Sequence, residues 1–393
     1  MIYLGIDVAS KKHDCFMVSA DGVIYGDVFT IPNNRKGFES LVDSISCFIE
    51  ICKDENIRIG LESTGVYSNN ILNFLSKQGY QVSLINPLLT NMDRKATSVR
   101  KTKTDKVDAK AICRFLSRNQ DLESYTPPSY HSQQLKTLSR CCKKVTKQLT
   151  REKVALYTLI VKVFPEYLNV FASLYSKGSL ALLHKYGTPS IIVSTRVDAV
   201  GNLLNKASKG HHGLTEAKKI KGLAQSTIGE QNDIYAFEIR LLIERIRMLT
   251  NHKSEYEKQI TKLLQEHYAI ILSIPGVGPI TGGFIIGEIG NINRFDSPDK
   301  LLAFAGLDPS VYQSGEYDAN KTSISKRGSS YLRWAIHIAA TGIVRNDVTF
   351  SKYHQKKLKE GKHYYVAIGH VTKKLTRVIY SLLKYNKAFI PQA

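Results

Sequence analysis

Over the first 118 residues, short apolar runs alternate with segments of helical periodicity. Ile2 to Ile6 reads as a buried strand, and Cys15 to Ser19 and Val23 to Phe29 flank Asp21-Gly22, a strong two-residue hairpin signal. These three strands predict a meander. A helix follows near Lys36 to Glu50, then a strand at Ile57 to Leu61, a helix at Val66 to Lys77, and a strand at Gln81 to Ile85 stopped by Asn86-Pro87. Arg94 to Lys103 reads as a basic, polar loop leading into a helix that starts near Asp105. A strand meander followed by alternating helices and strands is the element order of an RNase H type sheet.

Beyond Pro127-Pro128 the period becomes purely helical. Leu135, Leu138, Cys142, Val145, Leu149, Leu156, Leu159 and Val163 recur at 3-4 spacing, interrupted at Glu152. A second seam runs through Tyr235, Ile239, Leu242, Ile246, Leu249, Tyr256, Ile260 and Leu263, interrupted at Lys253. Two such helices pair either within the chain as a hairpin or between chains as an oligomer handle, and the pattern is the same for both. Residues 165–227 between them read as an insertion with short helical patterns and a Gly, Lys and Ser rich stretch at Lys206 to Gly213. From Ile270 apolar helices return, with the run LSIPGVGPITGG, then a polar stretch around Ser314, then a basic helical tail. The expected fold class is α/β plus α. Its domains are 1–125, a coiled coil over 126–268 with the insertion 165–227, and a mostly helical 269–393.

Four carboxylates fall where the RNase H topology has use for them. Asp7 and Glu62 each close a strand, while Asp105 and Asp108 are three apart and share one helix face. Two strand ends and one helix face can converge at a sheet edge. Carboxylates from separate elements suit a hard cation such as Mg²⁺ or Mn²⁺, which takes oxygen ligands and neutralises charge in phosphodiester chemistry. All four are therefore candidate metal ligands and catalytic residues. Asp14 and Asp93 lie nearby without fitting the pattern.

Composition narrows the partner. The formal charge is +21 on 393 residues, which makes an anionic polymer the leading partner, although a membrane surface or an acidic protein would also satisfy charge alone. Residues 1–120 carry 16 Lys and Arg against 13 Asp and Glu, so +18 lies beyond them. Within the first part, Arg94, Lys95, Arg100, Lys101 and Lys103 form a cluster suited to approaching phosphate. Gly276 and Gly278, in the PGVG turn, resemble a helix-hairpin-helix whose backbone amides face a phosphate. A structural connector between two apolar helices reads the same way. The six cysteines show no CxxC pair, which fits reduced thiols in a bacterial cytoplasm or another nucleic-acid compartment. No apolar run approaches the roughly 18 to 20 residues of a membrane span.

Ser314 lies in a polar Gln-Ser-Gly turn, near Lys321, Lys326, Arg327 and Arg333, which could bind phosphate oxygens and steady developing charge. On chemistry alone Ser323, Ser325, Ser329 and Ser330 compete with it.

Asp7, Glu62, Asp105 and Asp108, followed by IPGVGPITGG, AFAGLDPSVYQSG and SISKRGSSYLR, closely resemble the DEDD transposases of the IS-one-ten class of insertion sequences, relatives of the Piv-type DNA invertases. The resemblance covers roughly residues 1–160 and 230–390. It implies a RuvC-like domain, a coiled coil, and a carboxy-terminal transposase domain with a serine nucleophile, matched here by Ser314. It also implies a noncoding bridge RNA that pairs with donor and target DNA, a phosphoserine link to cleaved strands, and a tetramer of two dimers in which carboxylates and serine come from different protomers. Such a protein would act in the bacterial cytoplasm, at the nucleoid. Two other functions fit parts of the pattern: a RuvC-like junction or flap nuclease in which Ser314 is a turn residue, and a non-catalytic nucleic-acid-binding protein.

Overall fold

The computed structural model describes residues 1–62, 67–97, 105–122, 124–125, 129–230, 232, 234–309, 313–314, 317–318 and 323–391, with the side chains of Leu88, Arg94, Lys95, Thr97, Asp105, Lys106, Gln313, Ser314, Tyr317 and Asp318 outside that set. The chain divides into two compact units, Met1–Pro127 and Pro128–Ala393.

The first unit is built on five strands: β1 (Ile2–Val8), β2 (Lys12–Ser19), β3 (Phe29–Pro32), β4 (Ile57–Glu62) and β5 (Gln81–Ile85). Their order across the sheet is β3-β2-β1-β4-β5, antiparallel through the meander and parallel from β1 to β4 and β4 to β5. This is the RNase H arrangement. Alternation decides which face each residue meets. Ile2, Leu4, Ile6 and Val8 turn toward a core shared with α1 (Arg35–Cys52) and α2 (Ser68–Lys77), while Tyr3 packs on the other face against Ala109 and Cys113 of α4 (Asp105–Arg118). The third strand begins later than the sequence suggests. The hairpin turn forms, with Gly22 at φ +87°, but Gly26 also takes a positive φ of 58° and breaks the extended run, leaving a lone Val18–Ile24 bridge before pairing resumes at Phe29. A helix absent from the sequence expectation, α3 (Pro87–Thr97), occupies part of the stretch read as a loop. Pro87 at its first position has its ring angle already set for a helix start.

The second unit is helical. Its frame is α5 (Tyr130–Val163) and, after the short helices α6 (Lys177–Tyr186), α7 (Pro189–Ser194), α8 (Val197–Ser208) and α9 (Leu214–Gln225), the equally long α10 (Ile234–His267). The two long helices lie antiparallel, because Ser129 at the start of α5 meets Tyr268 just past the end of α10 (2.6 Å) while Lys162 meets Tyr235 at the opposite ends (2.6 Å). Pairing is thus within the chain. The break in the first seam is used, since Glu152 accepts from Arg245 Nε at 2.9 Å across the pair. Toward one end Leu149, Leu156 and Val163 join Ile239, Leu242 and Ile246 and the helices of the insertion in one core. Toward the other, Leu135, Cys142, Ile260 and Leu264 share a core with α11 (Pro279–Ile289), α12 (Pro298–Phe304), α13 (Ser330–Asn346), α14 (Val348–Lys359) and α15 (Tyr364–Tyr385). Residues 126–268 and 269–393 are therefore joined through one apolar cluster. No described helix is long and apolar enough to cross a membrane.

Candidate active site

On β1 and β4 the sequence repeats a short pattern, Gly5-Ile-Asp7 and Gly60-Leu-Glu62. Gly5 and Gly60 are direct partners in the parallel register, so Asp7 and Glu62 come next on adjacent strands. Both lie on the face that α4 covers. The glycines explain how α4 comes so near: a Cβ on Gly5 would stand 2.4 Å from the Ala109 carbonyl oxygen and 2.5 Å from the Cys113 nitrogen, and one on Gly60 would meet Ile112 Cγ2 at 3.2 Å. Helix and sheet touch backbone to backbone here. Burial pushes the Cys113 thiol up to about 12, so it is a packing group rather than a nucleophile.

Asp108 lies on α4, one turn into the helix, and it lines a pocket of about 170 Å³ together with Glu62, Thr90 and Asn91, closed by Pro87, Ala111 and Ile112. Thr90, 5% exposed, donates its hydroxyl to Glu62 Oε1, fixing that carboxylate against rotation. Neither Thr90 nor the glycines stood out in the sequence, although the repeated Gly-x-acid pattern was visible there. Asp14 faces Asp7 across β1 and β2, yet it is 4% exposed and engaged by Thr30 Oγ1 and by Lys12 at 3.5 Å. The structure thus brings Glu62 and Asp108 to one pocket and sets Asp7 on the neighbouring strand of the same face. Asp105 opens α4, and its side chain is outside the described residues. Among the described residues no three acidic, His or Cys groups form a ready metal cluster. The donor chemistry nonetheless suits a hard divalent ion: two carboxylates in a polar pocket, one of them oriented by a hydroxyl.

Arg100, Lys101, Lys103 and Lys321 lie outside the described residues, as do the side chains of Arg94 and Lys95 on α3. In the PGVG turn, Gly276 at φ +82° abuts Gly342 of α13, where a Cβ would stand 2.5 Å from a carbonyl carbon. Packing alone therefore requires glycine at 276. Gly278 caps α11 with open space beside it.

The segment carrying Ser314 rises from a two-sided stem. Ser329 N donates to Phe304 O (2.9 Å), Lys326 N to Gly306 O (3.1 Å) and Ser325 N to Asp308 O (2.9 Å), with a bridge between Pro309 and Ile324. Gln313–Ser314 (β6) then pairs with Tyr317–Asp318 (β7), Ser314 opposite Tyr317. Two competing serines are committed elsewhere: Ser325 Oγ donates to Asp308 (2.5 Å), and Ser329 Oγ donates to Glu288 (2.8 Å) while capping α13. Arg333 is committed too, donating to Ala305 O at 2.9 Å. Lys326, at φ +54°, and Arg327 are exposed at the stem. A larger open groove of about 700 Å³ runs along α10, where Glu257 and Lys258 are engaged by Lys253 and Glu255.

A family profile described as "Transposase" matches residues 4–165, and one described as "Transposase IS116/IS110/IS902 family" matches residues 268–355, so that together they span well over half the chain. The chain belongs to the IS110 family of transposases. Among its relatives, "Insertion element IS116 uncharacterized 44.8 kDa protein" of Streptomyces clavuligerus is 23% identical, over 99% of this chain and 96% of that protein. "Pilin gene-inverting protein" of Moraxella bovis is 23% identical, over 98% and 97% respectively. "Mini-circle putative transposase for IS117" of Streptomyces coelicolor is 23% identical, over 80% of this chain and 78% of that protein. Among solved structures, T. thermophilus RuvC in complex with a Holliday junction substrate matches at 11% identity and a TM-score of 0.24, over 32% of this chain and 99% of that one. The first family match contains both Gly-x-acid strands and α4, and the second contains the stem and Ser314.

Proposed function

We propose that this IS110-family chain cuts and rejoins DNA through two chemical centres, the carboxylate pocket of the first unit and Ser314 of the second. The observation that carries the reading is the convergence of Glu62 and Asp108 on one pocket, with Asp7 on the adjacent strand of the same face. Asp7, Glu62, Asp105 and Asp108 would hold Mg²⁺ or Mn²⁺, which supplies charge neutralisation at the scissile phosphate. The protein's own contribution is positional. Thr90 keeps Glu62 turned into the pocket, and α4 holds Asp108 there.

Ser314 then acts as nucleophile. Its oxygen forms a bond to phosphorus as a bridging P–O bond of the strand breaks, its proton passes to a base, and the departing oxygen takes one up. Exposed Lys326 and Arg327 at the stem would steady the phosphate's charge, with Lys321 nearer the serine in sequence. Arg94, Lys95, Arg100, Lys101 and Lys103 would hold the DNA or RNA backbone, with the amides around Gly276 and Gly278 as a further contact. Following the family resemblance, the partners are donor and target DNA and a structured bridge RNA, and the working form is a dimer that pairs into a tetramer.

The test is to incubate the protein with labelled DNA, the RNA transcribed beside its gene and Mg²⁺, denature, and look for DNA covalently held by protein. An adduct supports the reading. Free cleaved ends with no adduct identify a metal-dependent nuclease, a reading favoured by the fact that the carboxylate pocket is built within the first unit alone.

A further inference from the structure

The turn between α14 and α15 carries a feature that the two chemical centres do not use. Residues 352–377 hold eight Lys and Arg against one acidic residue, Glu360, a local excess of seven positive charges. Part of that charge is engaged: Lys357 pairs with Glu360 at 2.7 Å, Arg377 with Asp299 at 3.0 Å, and Lys374 lies over the Phe350 and Tyr353 rings. Lys352, Lys356, Lys359 and Lys362 are exposed and without an ion-pair partner among the described residues. The first three line one groove of about 470 Å³.

At the end of this groove, past Gly361 at φ +76°, three rings stand in a row. Tyr365 is 69% exposed and Tyr364 45% exposed, both in the first turn of α15 where a buried helix would place apolar contacts. His363 caps α15 by accepting from Tyr365 N and lies beside the Tyr365 ring, tilted by 32° at 5.6 Å, while Tyr364 turns edge-on at 80° and seats against buried His354 at 5.4 Å. Tyr364 is thus an anchor and Tyr365 the exposed platform. Exposed rings beside a track of lysines match one ligand chemistry. Unpaired bases stack on the ring faces while their phosphates follow the positive track. A duplex offers phosphates but no free base faces, so it has no use for the rings.

We infer that the α14–α15 turn, through Tyr365 with His363 and the lysines Lys352, Lys356, Lys359 and Lys362, binds single-stranded nucleic acid. The surface is independent of the serine chemistry. It gives the protein a hold on an unpaired loop or a displaced strand, away from the carboxylate pocket in sequence.

The experiment measures fluorescence anisotropy of the full-length protein with labelled oligouridine RNA, oligothymidine DNA, a mixed-sequence duplex and, separately, phosphatidylglycerol vesicles. Tyr365→Ala should weaken binding of RNA, DNA or both single strands about tenfold, with the affected strand naming the natural source, and leave duplex affinity within twofold. Tyr365→Phe, which keeps the ring, should retain wild-type affinity. Substituting Lys356, Lys359 and Lys362 together with Gln should flatten the salt dependence of single-strand binding by about two in the log-log slope. Unchanged single-strand affinity in Tyr365→Ala, an equal loss on duplex, or a loss confined to vesicles would overturn the inference.

Discussion

Arg140 Nε lies 2.6 Å from Glu288 Oε1, and Arg140 Nη2 lies 3.0 Å from the second oxygen, so a half-exposed arginine on α5 makes a two-point ion pair with a carboxylate that is 2% exposed on α11. Glu288 also accepts from Ser329, the cap of α13 and the last residue of the stem that leads to Ser314. Three elements thus meet on one buried charge. Removing Arg140 leaves that charge with the Ser329 hydroxyl and the nearby Lys136 ammonium. Arg140→Met should cost about 2 kcal/mol, below the ~3–5 typical of a broken buried pair because Arg140 is partly in water. Urea unfolding of the full chain checks this, and a loss under about 0.5 kcal/mol would show the pair to be incidental.

The close approach of α4 to the sheet predicts an asymmetry between two glycines. Gly5→Ala places a methyl against backbone atoms that have nowhere to go, whereas Gly60→Ala meets side-chain methyl groups at 3.0 to 3.4 Å that can shift. Gly5→Ala should destabilise the first unit by about 3 kcal/mol and Gly60→Ala by about 1. Thermal unfolding gives the order directly, and Gly60→Ala proving the more damaging would mean that α4 sits differently on the sheet.

Period-2 and period-3.6 patterns located the strands and long helices, because burial on one face imposes them locally. The Gly26 break, the Pro87 helix and the commitment of Ser325, Ser329 and Arg333 were not legible. The side-chain commitments depend on what a distant segment places beside them: Glu288 on α11 for Ser329, the Ala305 carbonyl for Arg333. The intrachain pairing of α5 with α10 was likewise undecidable from heptads, which are the same for a hairpin and a dimer. Of the candidate site, the acids were visible as types at spacings. Thr90 was not, since a threonine 28 residues from Glu62 carries no signal until a helix brings it there.

Thr90 yields its own prediction. Its hydroxyl holds Glu62 in one orientation, so Thr90→Val, nearly the same shape without the donor, should lower Mn²⁺ affinity about 10- to 100-fold while shifting stability by only about 1 kcal/mol. Titration calorimetry with Mn²⁺ reads the first and unfolding the second. Equal Mn²⁺ affinity in wild type and variant would separate Thr90 from ion binding.

His13, on β2, is buried and stacked 5.9 Å from Phe38, and burial holds its pKa below the ordinary histidine value. In the folded state it therefore stays neutral at a pH where the unfolded chain has already taken up a proton. Stability is complete above about pH 6.5 and falls as pH drops through that value toward the lower folded pKa. Denaturant midpoints from pH 7.5 to 5 should show this slope, and His13→Phe should reduce it. A slope unchanged by the substitution would place the pH dependence elsewhere.

Peptide mapping of the protein–DNA adduct in wild type, Ser314→Ala and Asp108→Asn tests directly whether Ser314 and the carboxylate pocket carry out one reaction together. The expected result is a nucleotide remnant on Ser314 in wild type, bound but uncleaved DNA with no adduct in either variant, and loss of the wild-type adduct in EDTA. A remnant on Ser323, Ser330 or any other residue, or cleavage surviving in Ser314→Ala, would contradict it.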